Sequence, residues 1–261
     1  MSIPISSINY CPVKSISFQT IQSCEIRKNI GIVGDRIFAF SKGLNINQAQ
    51  IFEKKIEERR GKWNKILTLK NSPSLNKYNF SFNNNKLTLI QNNNDILSIN
   101  SNERDEYELI SNKILELEKS LQKPIFLMQN KDTPFFDTSI SNKTLLTHSI
   151  SLLNLKSIED FRNKTNQDIE TQRFRGNIFY DGMEAWEERN WIGKIIKINN
   201  ISFKVEKNIP RCVAINLKPN SDDNSLNLLQ SLKKTYNHFD MGVYLTALDN
   251  GLINIGDNIS F

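Results

Sequence analysis

The sequence contains one cysteine whose neighbours suit it for metal binding. Cys212 follows Arg211, and a guanidinium beside a thiol favours the thiolate, the form that ligates redox-active metals and attacks electrophiles. By default a lone cysteine is a small buried apolar residue, and we expect this of Cys11 and Cys24, which lie in strand-like segments. We therefore select Cys212 as the candidate catalytic residue and metal ligand.

Two polar turns in the first half of the chain place a cation beside a small or hydroxyl residue. They are Lys14-Ser15 and Gly34-Asp35-Arg36. Phosphate recognition uses a point charge, a bidentate fork and hydroxyl or backbone donors, which Lys14, Arg36 and Ser15 would supply jointly. Each turn taken singly is more typical of a solvated loop. An anion site therefore depends on the two turns meeting in the fold.

Further candidate anion ligands lie in the second half. Ser149 and Ser151 stand at the start of a predicted helix over residues 151–163, where a hydroxyl typically caps the helix. Because a helix start also binds phosphate, capping and anion binding both stay open. Arg175 precedes a predicted strand over residues 177–180, and we expect it to be an inward-facing cation near Cys212.

The elements that position these residues are predicted to be mostly strands. Asn83-Asn84-Asn85 predicts a tight hairpin turn, because asparagine tolerates the left-handed conformation. Apolar residues at three- and four-residue steps predict a helix over 105–123, and another helix is expected over 226–236. Short β-rich runs predict the strands, at 3–10, 15–27, 36–41, 65–70, 78–82, 86–91, 177–180, 194–198, 201–206, 213–217 and 243–248.

The chain of 261 residues fits two small domains. The helix over residues 105–123 ends before Pro124, and a loop-like stretch follows. We therefore predict domains at 1–123 and 124–261. The expected fold class is α+β, mainly β, with two β-rich halves and a few peripheral helices.

The composition excludes several classes of protein. A formal net charge of +6 would suit nucleic acid, but lysines and arginines alternate with acidic residues, and no basic stripe studded with aromatics occurs. We therefore expect no nucleic-acid partner. No apolar run is long enough to cross a bilayer, so we expect no membrane association. Three cysteines without paired spacing predict a reducing compartment, the cytoplasm.

Several segments together resemble the MOSC family, the group that includes the mitochondrial amidoxime-reducing component and bacterial hydroxylaminopurine-detoxifying proteins. In the first half the similar segments are Pro12-Val13-Lys14-Ser15 and residues 31–36. In the second half they follow the family's order and approximate spacing, at 173–177, 181–191, 210–212, 229–233 and 242–257. None of these segments is specific alone, whereas their joint order is.

The resemblance implies an N-terminal β-barrel-like domain and a C-terminal MOSC β-barrel domain, with a molybdenum cofactor (molybdenum bound by molybdopterin) between them. It implies that Cys212 ligates molybdenum. The residues implied to hold the pterin and its phosphate are Lys14, Ser15, Arg36, Ser149, Ser151, Arg175, Arg211 and Tyr244.

The resemblance also implies a molybdenum-dependent oxidoreductase that reduces small N-hydroxylated compounds. Electrons would come from a separate donor protein, which would be a ferredoxin, a flavoprotein or a b-type cytochrome. The alternative is a carrier, in which Cys212 bears sulfur or the cofactor is delivered elsewhere. A family-level link to pyridoxal phosphate belongs to this alternative, although no lysine stands out to bind that cofactor.

Overall fold

A computed structural model describes residues 2–16, 18–59, 61–136 and 148–261. Strands contribute more residues than helices. The strands are β1 (Ile5–Tyr10), β2 (Gln19–Ile21), β3 (Ser23–Arg27), β4 (Gly31–Ile32), β5 (Phe38–Phe40), β6 (Tyr78–Asn83), β7 (Lys86–Gln91), β8 (Asn94–Asn100), β9 (Leu127–Gln129), β10 (Ile150–Asn154), β11 (Ile178–Tyr180), β12 (Ile195–Ile198), β13 (Ile201–Pro210), β14 (Asp240–Ala247), β15 (Gly251–Asn254) and β16 (Ile259–Ser260). The α-helices are α1 (Ile46–Lys54), α2 (Ile56–Arg59), α3 (Tyr107–Leu117), α4 (Leu155–Thr165) and α5 (Leu228–Tyr236).

The largest sheet joins both ends of the chain. Its strand order is β16-β12-β13-β14-β10-β11-β1-β2, and its pairs are antiparallel except for β10 and β11. Side chains from β1, β10, β11, β13 and β14 form one apolar core beside it. The first strand is therefore packed with elements from the second half of the chain.

The predicted barrels are the one respect in which the expected fold class differs from the structure. The ladder of the large sheet is open in the described ranges, because its end strands β2 and β16 do not pair. An isolated bridge joins Pro4, just before β1, to Asn258, just before β16. Hydrogen bonds from the amide of Ile5 to the carbonyl of Asp257 (2.8 Å) and from Ile259 to Ile3 (2.9 Å) accompany this bridge. The α+β, mainly β, class is confirmed, with sheets in place of closed barrels.

The remaining strands form smaller sheets. The order β6-β7-β8 makes one of them, and its predicted hairpin turn is confirmed, with Asn84 and Asn85 at positive φ. Helix α3 packs its apolar stripe into a core shared with this sheet. Strand β3 lies between β4 and β15, so residues from the predicted N-terminal and C-terminal domains share this sheet. The boundary at residue 123 stays a prediction.

Two predicted strands are wrong, and one predicted helix begins later in the chain than predicted. Residues 65–70 form no strand, although Ile66 makes an isolated bridge with Ser41. Residues Val213–Asn216 form a 3-10 helix. The segment predicted as a helix from residue 151 begins as β10, and helix α4 starts only after Asn154, whose side chain accepts from the amide of Lys156. Four buried apolar or small residues in a row suit a strand covered on both faces as well as a helix.

No helix in the described ranges is both long and apolar enough to cross a membrane.

Candidate functional site

A cavity of about 420 Å³ contains most of the sequence-predicted site residues. Five basic side chains line it, and no acidic side chain does so in the described part of the chain. The basic residues are Lys14, Arg36, Lys70, Arg175 and Arg211. Cys212 and Tyr244 line the same cavity, together with apolar side chains. Its volume lies in the range of small-molecule sites, and its charge favours an anionic ligand.

The two polar turns of the first half meet, as an anion site requires. The amide of Lys14 donates to the carbonyl of Phe38 (2.7 Å), and the amide of Arg36 donates to the carbonyl of Cys11 (2.7 Å). Val13 and Phe38 form a parallel bridge between the segments. Both Ser15 (φ 66°) and Arg36 (φ 55°) adopt the left-handed region, which turns the chain sharply at each position. Backbone pairing thus brings Lys14, Ser15 and Arg36 to one wall.

Arg36 lies between two aromatic rings. Its guanidinium carbon is 5.1 Å from the ring centroid of Phe18 and 5.1 Å from that of Phe136, distances at which a cation is attracted to a ring face. Its Nη1 also forms an ion pair with Asp35, which is 8% exposed. Burial raises the pKa of Asp35, and Arg36 opposes that rise. The guanidinium is therefore held in a defined orientation beside the cavity.

Arg175 approaches the same wall from the second half of the chain. It ends the 3-10 helix Thr171–Phe174 in the left-handed conformation (φ 48°). Its Nη2 donates to the carbonyl of Ile16 (2.7 Å), and its guanidinium lies 4.8 Å from the centroid of Phe18. Burial lowers the pKa of Arg175, and repulsion from Arg36 contributes to that shift. Two like charges thus face one ring, an arrangement that a bound anion would stabilise.

Arg211 has a different environment, because backbone oxygens occupy its guanidinium. Nη1 donates to the carbonyl of Phe174 (2.7 Å), and Nε donates to that of Met241 (2.9 Å), which also accepts from Nη2. Burial lowers the pKa of Arg211 to about 10, so the group stays charged at neutral pH. Arg211 thus contributes positive charge to the wall while fixing the loop that carries Cys212.

Cys212 is the exposed cysteine, whereas Cys11 and Cys24 are buried, as the sequence predicted. It follows β13 and stands at the N-terminal end of the 3-10 helix Val213–Asn216. Its position is therefore a loop at the end of a long strand, and its thiol is accessible from solvent.

The structure does not bring Ser149 and Ser151 to the cavity wall with the other candidates. Ser151 lies in β10, where its hydroxyl donates to the Oδ1 atom of Asn177 (2.8 Å) and accepts from the amide of that residue (2.8 Å). Ser149 lines a separate space of about 10 Å³ beside Asp35 and Arg36. Neither serine caps a helix, because Asn154 caps α4.

Tyr244 lies on β14 opposite Ser151, 7% exposed, with its ring centroid 5.7 Å from that of Phe136. It therefore reaches the cavity from the large sheet.

The sequence did not predict several of the lining residues, among them Lys70, Phe18 and Phe136. Lys70 lies in a segment that was predicted to be a strand and is a turn. Phe18 and Phe136 are single aromatic residues without a motif around them. A useful signal would have been the pairing of an aromatic residue with each buried arginine, since a guanidinium in an apolar wall packs well on an aromatic face.

The described residues contain no group of three or more His, Cys, Asp or Glu placed to hold a metal ion. What the cavity offers is one accessible thiol, an array of cations and an apolar wall. These groups can bind a phosphate-bearing molecule and place one of its atoms near sulfur.

Residues 139–260 match the family model of the MOSC domain. Among solved structures, the YuaD protein from Bacillus subtilis is similar with a TM-score of 0.44 and 10% identity, over 99% of this chain and 94% of that one. YiiM from Geobacillus stearothermophilus is similar with a TM-score of 0.34 and 16% identity, over 42% of this chain and 52% of that one. No curated protein matches the chain significantly.

Proposed function

We propose that this chain binds a molybdenum cofactor and reduces N-hydroxylated compounds. Its residues 139–260 match the model of the MOSC domain, and that family includes molybdenum-cofactor-binding proteins. The observation that carries the proposal is the presence of five basic side chains and the thiol of Cys212 in one cavity. Such a set fits a ligand that has a phosphate at one end and a thiolate-seeking metal at the other.

The cationic wall would hold the phosphate of the pterin. Lys14 supplies a point charge, Arg36 and Arg175 supply planar forks, and Ser15 lies on the same wall. Arg36 and Arg175 are already ordered by Phe18, so little side-chain entropy is lost when an anion binds. Tyr244 completes the wall on the β14 side. Ser149 and Ser151 would act at a distance, by supporting the residues around Arg36.

Cys212 would supply a thiolate ligand to the metal. Arg211 holds the loop of Cys212 against β14 and the Phe174 carbonyl, so the sulfur stays at the mouth of the cavity. When bound, the cofactor supplies two-electron redox chemistry. The chain contributes the sulfur, the clamp for the phosphate, and apolar side chains such as Phe136 and Phe174 that exclude water.

The remaining parts of the proposal concern partners. The substrate would be a small N-hydroxylated compound, reduced to the amine or amidine. Electrons would come from a separate protein, of the ferredoxin, flavoprotein or b-type cytochrome class. The accessible position of Cys212 suits approach by small substrates from solvent.

The test is the metal and pterin content of the chain after production in a host that makes the molybdenum cofactor. We expect close to one molybdenum and one pterin for each chain, and reduction of an N-hydroxylated test compound when an artificial reductant replaces the donor. Absence of both from folded protein made in that host would overturn the proposal.

A carrier role is the second candidate, and the exposure of the Cys212 sulfur is the observation that favours it. A thiol that hands over sulfur must reach its acceptor. In the same experiment, a persulfide on Cys212 in protein that lacks molybdenum would support the carrier role over the reductase.

A further inference from the structure

A buried polar network lies behind the cationic wall, and Asp35 is its centre. Oδ1 of Asp35 accepts from the amide of Cys11 (2.8 Å), and Oδ2 accepts from the side chain of Asn177 (3.2 Å). The carboxylate also pairs with Nη1 of Arg36. Asp35 is thus bonded to the segment that leads into the first polar turn, to the second half of the chain and to a residue of the cavity wall.

Asn177 extends the network into the large sheet. Its side chain donates to the carbonyl of Asn9 (3.2 Å) and accepts from the hydroxyl of Ser151 (2.8 Å). Asn177 and Ser151 are fully or almost fully buried, and they join β1 to β10. Because a buried network with satisfied partners is rigid, the position of the Asp35 carboxylate is set by strands rather than by a loop.

Arg36 depends on this carboxylate for its orientation. It lies at positive φ at the edge of a turn, and its guanidinium contacts the rings of Phe18 and Phe136, which attract a cation without fixing its rotation about the ring normal. The ion pair with Asp35 occupies one edge of the guanidinium. The other edge of the planar fork then has a defined direction.

We propose that Asp35 is a positioning residue of the anion site, which orients Arg36 so that its open edge meets the phosphate of the ligand. The inference rests on the anion site of the proposed function. According to this inference, the negative charge of Asp35 strengthens the binding of an anion at the neighbouring cations. A direct Coulomb interaction alone would weaken that binding, because a carboxylate near the site repels an anion.

The opposite signs make the proposal testable with the apo protein and inorganic phosphate as the probe. Asp35→Asn keeps the size of the side chain and removes its charge. Phosphate affinity is measured by titration calorimetry for the parent, Asp35→Asn, Arg36→Gln and the double variant, with the apo melting temperature recorded for each. Asp95→Asn is the matched control, because it removes the same charge from an exposed position in β8.

We expect Asp35→Asn to weaken phosphate binding about tenfold, equivalent to roughly 1.4 kcal/mol, and Asp95→Asn to leave it unchanged. The double variant should bind like Arg36→Gln, because Asp35 acts through Arg36. Unchanged or tighter binding by Asp35→Asn would overturn the inference, as would full additivity or a parent that binds no phosphate.

If Asp35→Asn does not fold, a second variant, Arg36→Lys, tests the same inference. Arg36→Lys keeps the charge and loses the fork, so an oriented fork predicts a similar loss of affinity, and unchanged affinity would overturn the inference. The molybdenum and pterin content of the parent is measured separately. Normal content together with tighter phosphate binding by Asp35→Asn would reject the role of Asp35 and leave the proposed function in place.

Discussion

The Nε atom of Arg211 donates a hydrogen bond to the carbonyl oxygen of Met241 over 2.9 Å. This bond joins the residue before Cys212 to β14, and it explains how an exposed sulfur can keep a fixed position. The sequence suggested Arg211 as a cofactor ligand. Its contacts with backbone oxygens indicate that it acts through the loop it holds.

Arg211→Gln should destabilise the apo protein. The change removes hydrogen bonds from a buried cation and leaves the carbonyls of Phe174 and Met241 without their donors. We expect a loss of about 2 to 4 kcal/mol in the free energy of unfolding. Urea denaturation of the apo protein measures it. A loss confined to the cofactor-loaded form would show that Arg211 acts as a ligand.

Arg175→Gln should affect cofactor binding more than the stability of the apo protein. The guanidinium of Arg175 donates a hydrogen bond to the carbonyl of Ile16 and otherwise faces Phe18 and the cavity. Its loss should lower the free energy of unfolding of the apo protein by only about 1 kcal/mol. The fraction of chains that carry pterin should fall markedly. Pterin content and apo melting temperature, measured on the same preparation, check this. Equal destabilisation of the apo and loaded forms would assign Arg175 a structural role only.

The three cysteines should separate by function. Cys212→Ala should abolish reduction of an N-hydroxylated compound by chemically reduced enzyme, since the metal would lose its protein sulfur. Cys11→Ala and Cys24→Ala should stay active and lose about 1 to 3 kcal/mol of stability, because both side chains are buried. Turnover by Cys212→Ala at the parental rate would contradict the assignment.

The free energy of unfolding of the Glu188→Gln variant, relative to that of the parent, should be higher at neutral pH than at acid pH. Glu188 is fully buried and accepts from the hydroxyl of Ser157 (2.9 Å), and burial raises its pKa above the ordinary value. The native state therefore binds this proton more tightly than the unfolded state does. The stabilising contribution is complete below the unfolded pKa and is lost as the pH rises through the raised native pKa.

The glutamine variant has no such titration, so its stability relative to the parent should increase with pH. Urea denaturation of both proteins between about pH 4.5 and pH 8 gives the difference. A difference that is constant, or that grows toward acid pH, would show that the native pKa of Glu188 is not raised above its unfolded value.

The sequence predicted the residues of the cavity better than the elements that carry them. Lys14, Arg36, Arg175 and Cys212 were selected by residue type and by the order of their segments, and all line one cavity. Their convergence depends on long-range backbone pairing, such as the bond from Lys14 to Phe38, which leaves no local pattern. Order along the chain therefore carried information that spacing alone did not.

The misplaced elements lie in short apolar segments of the sequence. The run from Ile150 to Leu153 is buried throughout, and a short apolar run has no period that separates a strand from a helix. Residues 213–217 were predicted as a strand, whereas Val213–Asn216 form a 3-10 helix. Lys70 was missed because no local pattern marks a turn residue as part of a cavity. The other segments that line the cavity are distant from it in the sequence.

Molybdenum K-edge X-ray absorption of the loaded protein tests the central claim most directly, because it counts the sulfur atoms bound to the metal. The parent and Cys212→Ser are compared at equal molybdenum content. If Cys212 ligates the metal, the serine variant should show one fewer sulfur neighbour and one more oxygen or nitrogen neighbour than the parent. Identical sulfur shells in the two proteins would contradict the assignment of Cys212 as the metal ligand.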